Sequence, residues 1–471
     1  MAENSREIVL DLLLTIEREA VFSNQLIKAV LDKYDYLEGR EKAFIKRLTE
    51  GTLERQIELD YYLDRISDVP VRRMKPLIRC LMRMSVYQLL YMDSVPDSAV
   101  CNEACKLAVK RKFAGLRGFV NGVLRNVARQ KDRLSLPNPK ENLPLYLSVK
   151  YSMPQWLVEF FLASYTAPAV EKLLEGLLTI HPVSVRFDGK LSEQSAGKLR
   201  RDMEQAGAVL QKSPYLPYSY LCRYADNLTT LPGFADGQWT VQDVSCALAI
   251  EAAGLAPGDF VVDACASPGG KTLLAAQRAK HVLARDVSEE KLERILENIE
   301  RMGAENVETQ VWDARITDEA LVGRADVLLL DVPCSGLGII GKKRDIKYHV
   351  SKQGMTELRA LQREIVKNSV PYLKPGATLL YSTCTINPAE NEEMVAYLTR
   401  ELGLEPVPLQ GRLPEVLLSG REAVRQCEKP DHFALTAAES DACIQLLPGF
   451  MESDGFFIAC LRRPLSQKTV E

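Results

Sequence analysis

Two cysteines stand directly after apolar runs that read as buried strands: Cys334 in "DVPCSGLG", following "ADVLLL", and Cys384 in "YSTCTINP", following "ATLL". If these strands are parallel neighbours, they open on the same edge about 4.8 Å apart, and both thiols face one crevice. For an isolated cysteine, burial as a small hydrophobe is the better expectation. These two lie past the strand ends, among Pro, Ser, Thr and Gly, where a thiol can react. A thiolate is the nucleophilic form, and a helix N-terminus or a nearby lysine lowers the pKa needed to reach it. Lys271 is the candidate neighbour.

Four acids repeat the strand-end position. Asp263 closes "DFVVD", Asp286 closes "HVLARD", Asp313 lies in "VWDAR" and Asp331 in "LLLDVPC". Ligands of open α/β sheets bind outside the carboxyl ends of the strands, so these acids converge on one crevice. Between Asp263 and the next helix runs the loop Cys265, Ala266, Ser267, Pro268, Gly269, Gly270 and Lys271. A Walker A loop would need glycine where Cys265 stands, and the dinucleotide pattern G-x-G-x-x-G is absent. A loop without phosphate-binding glycines, followed by an acid placed for a ribose, fits a nucleoside carrying an amino acid, which is S-adenosylmethionine. Methyl transfer to an amine needs no thiol. Carbon 5 of a pyrimidine does, because it becomes nucleophilic only after something adds to carbon 6, and a thiolate supplies that addition.

The elements that must hold these residues follow from periodicity. From about residue 235, apolar strands alternate with amphipathic helices, as in a parallel sheet covered on both faces. The last two strands, "ACIQLLP" and "GFFIACLRR", read as an antiparallel hairpin, and residues 401–441, without clear period, as an insertion. Residues 1–138 carry helical spacing throughout and predict an all-α domain. A Pro-rich linker leads to a small α+β module over 145–232, and the α/β domain spans 235–465. At 471 residues the chain is long enough for several such domains.

The net charge of −3 hides a basic segment: residues 69–140 hold 15 Lys+Arg against 4 Asp+Glu. An excess of that size in an otherwise acidic chain is the electrostatic footprint of a nucleic-acid partner. Eleven scattered cysteines with no C-x-x-C pair, and only four histidines, argue for free thiols rather than disulfides or a metal site. No apolar run is long enough to span a bilayer, and the N-terminus is unlike a signal peptide, so a cytoplasmic monomer is expected.

The stretches "DACASPGGKT", "DVPCSGLGIIGKKRDIKYH" and "YSTCTINPAENEEMV" resemble the RNA cytosine-5 methyltransferases in order and spacing. The N-terminal "GTLERQIELDYYL" and "FVNGVLRN" resemble NusB-type domains, and the combination is similar to the bacterial 16S ribosomal RNA cytosine-5 methyltransferase B group. The resemblance implies a NusB-like helical domain, a small RNA-recognition module, and a Rossmann-like class I methyltransferase domain. It implies Cys384 as the nucleophile, Cys334 as the thiol assisting product release, and Asp331 as a contact to the target base and to the cofactor's methionine end. It places the methionyl part on residues 265–271, the ribose on Asp286 and the adenine on Asp313, with 16S rRNA as partner. Three residues depart from the family pattern: Ser267, Arg285, and Tyr348, whose ring keeps base stacking open. The carboxylates of Glu390, Glu392 and Glu393 are expected in the first turn of the helix after Pro388, favouring its macrodipole. The competing reading is an RNA-binding, antitermination-like protein whose methyltransferase fold is only a scaffold.

Overall fold

The computed structural model describes residues 4–19, 21–34, 36–179, 182–224, 227–429 and 435–465. The chain forms two compact units, Met1–Leu178 with Ile340–His349, and Thr179–Ile339 with Val350–Glu471. Among the described residues no helix is long and apolar enough to cross a membrane.

The first unit is built from α1 (Ser5–Glu19), α2 (Ser23–Lys33), α3 (Gly39–Glu54), α4 (Gln56–Ile66), α5 (Pro76–Tyr91), α6 (Asp97–Lys110), α7 (Arg117–Gln130), α8 (Leu143–Lys150), α9 (Gln155–Ser164) and α10 (Ala167–Leu178). A helix apolar on every side must be buried, and α5 is that helix. Ile78, Leu81, Met82, Val86 and Leu89 join one core with α1, α3, α6 and α7. Its buried Ser85 and Gln88 are satisfied within the helix by the carbonyls of Leu81 and Met84. The sequence reading closes this domain at 138, but α8–α10 belong to it as well. The intervening residues 134–142 form no regular element, and the backbone N–H of Ile57 in α4 donates to the Ser152 hydroxyl at 3.0 Å.

Residues 340–349 follow the thiol-bearing loop in sequence yet belong to the helical unit. The last turn of a helix leaves carbonyls without intrahelical partners and favours a cation. Lys347 supplies a donor for α3: its Nζ donates to the Glu54 carbonyl at 2.7 Å and to the Ser152 carbonyl at 2.5 Å, and burial lowers its pKa to about 7. The Tyr348 hydroxyl donates to the Leu53 carbonyl at 2.8 Å, and Arg344 pairs with Glu50 and Glu54 at 2.9 and 2.8 Å. Tyr348, expected as a face for base stacking, is therefore a half-buried anchor on α3 instead.

The second unit begins with a four-stranded antiparallel sheet in the order β2-β3-β1-β4: β1 (Val183–Phe187), β2 (Val209–Lys212), β3 (Ser219–Arg223) and β4 (Trp239–Val241). One helix, α11 (Glu193–Gln205), covers it through Leu199 and Met203 against Val185, Phe187 and Trp239. Gly207 takes a positive φ of 97° that ends α11 and frees β2. β4 extends the sheet past the expected boundary at 232.

The large sheet contains β5 (Phe260–Asp263), β6 (His281–Asp286), β7 (Val307–Val311), β8 (Ala325–Asp331), β9 (Leu373–Thr383), β10 (Glu405–Pro406), β11 (Cys443–Leu446) and β12 (Phe456–Arg462). Its order is β10-β12-β9-β8-β5-β6-β7, with β11 on β12. β5 through β9 pair in parallel, whereas β12 runs antiparallel to both β9 and β11, forming the expected hairpin. The chain leaves β5 toward β6 and β7, then returns to the other side of β5 as β8. That reversal is the topological switch point where such sheets open a crevice. The helices nearest it are α12 (Val244–Ala253), α13 (Gly270–Ala276) and α14 (Glu289–Met302). The stretch read as an insertion contains β10 and the helices Glu415–Arg425 and Ala437–Asp441; its residues 430–434 lie outside the described ones.

Candidate functional site

Parallel pairing of β8 with β9, in a register that sets Asp331 opposite Ser382, brings the two strand-end cysteines together. Cys334 Sγ and Cys384 Sγ are 3.3 Å apart. Both thiols are partly exposed, whereas Cys80, Cys101, Cys105, Cys222, Cys443 and Cys460 are buried packing residues. The neighbouring Cys384, together with burial, holds the Cys334 thiol well above its ordinary pKa.

The acids fall in the spatial order of their strands. Asp263 is fully buried, and its Oδ2 accepts the Thr272 hydroxyl at 2.7 Å. Burial pushes its carboxyl up to about 7. Asp331 Oδ1 accepts the Ser382 hydroxyl at 2.8 Å, and its Oδ2 pairs with Lys271 Nζ at 2.6 Å. Asp286 Oδ2 accepts the backbone N–H of Ser267 at 3.0 Å, while Oδ1 accepts Val287 N–H and Lys291 Nζ, both at 2.8 Å. One N–H of the Cys265–Lys271 loop is thus already spent on the acid expected to bind a ribose. Asp313, on the edge beyond β7, has both oxygens engaged by Arg315, which lowers its pKa.

Lys271 is where sequence reasoning and geometry part. Burial would lower its pKa, but Asp331 and Cys246 outweigh that and raise it. The thiol it meets is Cys246, at 3.4 Å, rather than either strand-end cysteine, and Phe456 lies under the ammonium with its ring centre 5.0 Å away. Neither Cys246 nor Phe456 had a signal in the sequence, since both are ordinary apolar-face residues of their elements. Arg285, flagged as a departure, places its guanidinium over the Trp312 ring at 4.7 Å, and its carbonyl receives Ala266 N–H at 2.9 Å.

S-adenosylmethionine fits the crevice by donor count. Asp263 Oδ1 is buried without a hydrogen-bond partner among the described residues, at the foot of the Cys265–Lys271 loop, so a donor-bearing, uncharged-to-cationic group suits it and a phosphate does not. Gly269 has a φ of 94°, which an L side chain would resist, and an added Cβ would meet Ile295 at 3.1 Å.

Behind the thiols two backbones touch. Gly338 N–H donates to the Cys384 carbonyl at 3.1 Å, and Gly455 N–H donates to the Gly338 carbonyl at 2.9 Å. A Cβ on Gly338 would lie 2.0 Å from the Gly455 oxygen, so one backbone must move. Gly338→Ala is expected to lower the melting temperature by roughly 5–10 °C, the effect of about 2–3 kcal/mol of overpacking in a domain of this size. Gly258→Ala, where the same atom meets nothing within 4 Å, should leave it unchanged. Equal melting curves for the two variants would contradict this.

The acids after Pro388 also differ from expectation. The helix starts at Glu392, so Glu392 and Glu393 occupy its first turn but Glu390 does not. Glu393 pairs with Arg359 at 2.7 Å, and burial raises the Glu392 carboxyl to about 8.

A parallel sheet that reverses at β5 and β8, with acids and paired thiols along its carboxyl edge, is a Rossmann-like methyltransferase domain, here in one chain with a helical unit. The family model described as "16S rRNA methyltransferase RsmB/F" matches residues 252–462, and that of the NusB family matches residues 3–129. "Probable ribosomal RNA small subunit methyltransferase B" of Bacillus subtilis (strain 168) is 31% identical over 466 residues, 97% of this chain and 98% of that one. "Ribosomal RNA small subunit methyltransferase B" of Serratia proteamaculans (strain 568) is 34% identical, over 80% and 88% of the two chains. Among solved structures, that of PH0851 aligns over 98% of this chain and 100% of its own with a TM-score of 0.76 at 24% identity. A methyltransferase homologue from Pyrococcus horikoshii aligns over 68% and 99% with a TM-score of 0.57 at 25% identity. The chain belongs to the ribosomal RNA small subunit methyltransferase B family and is an S-adenosylmethionine-dependent RNA methyltransferase.

Proposed function

We propose that this enzyme methylates carbon 5 of a cytosine in 16S rRNA through a covalent bond between Cys384 and carbon 6 of the base. The observation that carries the proposal is the 3.3 Å approach of Cys384 to Cys334 beside the Asp331–Lys271 pair. Nitrogen methylation needs no nucleophile from the protein, so two juxtaposed thiols at the base site are unexplained by it.

Cys384, as thiolate, adds to carbon 6 and forms a C–S bond, moving electron density onto carbon 5. The Cys265–Lys271 loop, Asp286 and the Asp263 and Asp331 carboxylates, with Asp313 toward the adenine, would hold S-adenosylmethionine, which would supply the electrophilic methyl group when bound. With Cys384 bonded to carbon 6 and no longer raising its pKa, Cys334 gives its own proton to solvent and, as thiolate, accepts the carbon-5 proton; the electron pair of that C–H bond restores the ring double bond as the C–S bond breaks and the Cys384 thiolate leaves. Asp331, fixed by Lys271 and Ser382, presents its carboxylate to the exocyclic amino group of the base. Reaching this crevice requires the base to leave its stack.

Recognition of the rest of the RNA falls to the helical unit. On α7, Val120, Val123, Leu124 and Val127 face the core, and Arg117, Arg125 and Arg129 stand exposed at spacings of eight and four residues. Several other cations of residues 69–140 are tied up, Arg83 by Asp60 and Arg79 by Glu17, so the α7 stripe with exposed Arg72, Arg73 and Lys112 forms the phosphate-binding face.

Incubation with unmodified 16S rRNA transcript and S-adenosylmethionine, followed by digestion to nucleosides and mass spectrometry, should yield 5-methylcytidine. N4-methylcytidine or a methylated purine would refute the reaction proposed here.

A further inference from the structure

The turns carrying the two thiols meet on one buried carboxylate. Glu390 is 0% exposed, and among the described residues its side-chain hydrogen-bond partners are all donors. Its Oε2 accepts Ser335 N–H at 2.9 Å and Gln362 Nε2 at 2.8 Å, and its Oε1 accepts Asn387 Nδ2 at 2.8 Å and the Ser335 hydroxyl. The same Gln362 Nε2 donates to the Pro333 carbonyl at 2.8 Å. The residues on both sides of Cys334 are therefore fastened to Glu390 or to its immediate partner.

Cys384 is anchored otherwise. Thr383 Oγ1 donates to Asn391 Oδ1 at 2.6 Å, Asn391 Nδ2 donates to the Thr385 carbonyl at 3.1 Å and to Gln445 Oε1 at 2.8 Å, and Gly338 N–H holds the Cys384 carbonyl. The two turns are linked directly by the Ser335–Thr385 hydroxyl pair at 2.7 Å, by the Gly338 bond to the Cys384 carbonyl and by the approach of the two thiols. Glu390 thus bonds Ser335, the residue next to Cys334, through two groups, whereas on the Cys384 side its side chain meets Asn387, three residues on.

We propose that Glu390 is a positioning residue for the release step: it sets the Cys334 turn against Cys384, and its loss leaves carbon-6 attack intact while slowing breakage of the C–S bond. This rests on the division of labour between the thiols given above. Glu390→Gln replaces one acceptor oxygen with an NH2 group facing donors, so at least one tether to Ser335, Asn387 or Gln362 must open.

With unmodified 16S rRNA transcript and S-adenosylmethionine, Glu390→Gln should lower steady-state turnover at least tenfold. It should also raise the protein–RNA adduct that survives a denaturing gel at least tenfold, with cofactor affinity within about twofold of wild type. Gln362→Leu, which removes the donor shared by Pro333 and Glu390, should shift both readouts the same way and serves if Glu390→Gln does not fold. Wild-type turnover, or turnover lost with no adduct, overturns the positioning role, the latter being what a merely structural residue produces. Cys334→Ala run in parallel separates the two ideas. If it accumulates adduct and the Glu390 and Gln362 variants do not, the positioning role alone fails; if it accumulates none, the thiol assignment fails and takes the positioning role with it.

Discussion

Cys384→Ala is expected to stop methyl transfer, lowering turnover by roughly 10⁴-fold or more, the scale on which deletion of a covalent nucleophile acts. The variant removes one sulfur at the end of β9 and leaves the strand register, the Gly338 hydrogen bond to the residue-384 carbonyl and the acids on β5, β6 and β8 in place. Cofactor affinity should therefore stay within about twofold, which separates lost chemistry from lost folding. No adduct should form, because the only atom proposed to bond carbon 6 is gone. Cys334→Ala gives the opposite signature, RNA held to the protein through Cys384. Turnover above a few per cent of wild type in the Cys384 variant would sink the assignment.

The second large effect is expected at Lys271. Its side chain, 8% exposed, is bonded through the ammonium to Asp331 Oδ2, whose side chain is 30% exposed, and both lie where the sheet reverses. Lys271→Met fills similar space and keeps the apolar contact with Phe456, but leaves Asp331 with only the Ser382 hydroxyl. Breaking a fully buried pair costs about 3–5 kcal/mol; partial exposure of Asp331 puts this one nearer about 2–3 kcal/mol. Asp331 is then free to turn toward solvent, so single-turnover methylation should fall by roughly 10²-fold, as when one preorganised polar group is lost. Lys271→Arg should not rescue, because the planar guanidinium needs more room than the point-like ammonium between Cys246 and Phe456. Wild-type rates in Lys271→Met would show that Asp331 needs no partner. Denaturant unfolding and single-turnover rates measure the two parts separately.

What could be read from the residues alone was whatever periodicity and strand ends encode. The alternation from Phe260 onward predicts the parallel sheet, and placing Cys334 and Cys384 after its strands predicts their meeting; the register Asp331 to Ser382 supplies the adjacency on which that depended. Partners set by long-range packing were not legible. Lys271 reaches Cys246, 25 positions back, and Ser335 reaches Glu390, 55 positions on, and nothing in local pattern selects those pairings. Glu390 was misplaced because Pro388 and three acids look like a helix start, whereas Asn387 and Asn391 spend their side chains building a turn before the helix begins. Tyr348 was misread because its destination is the end of α3, almost 300 residues earlier.

The ten residues from Ile340 to His349 also bear on where this chain can be cut. Although β8 precedes them and the helix Lys352–Ser369 follows, the groups they bind are Glu50, Leu53, Glu54 and Ser152. A fragment starting at residue 179 would retain Arg344, Asp345 and Lys347 but none of those partners, exposing charges and a tyrosine sited for burial. Sequence continuity and physical integrity thus disagree: residues 179–471 are contiguous but include ten residues that pack in the first unit, so a fragment starting at 179 is expected to unfold at lower temperature than the whole chain.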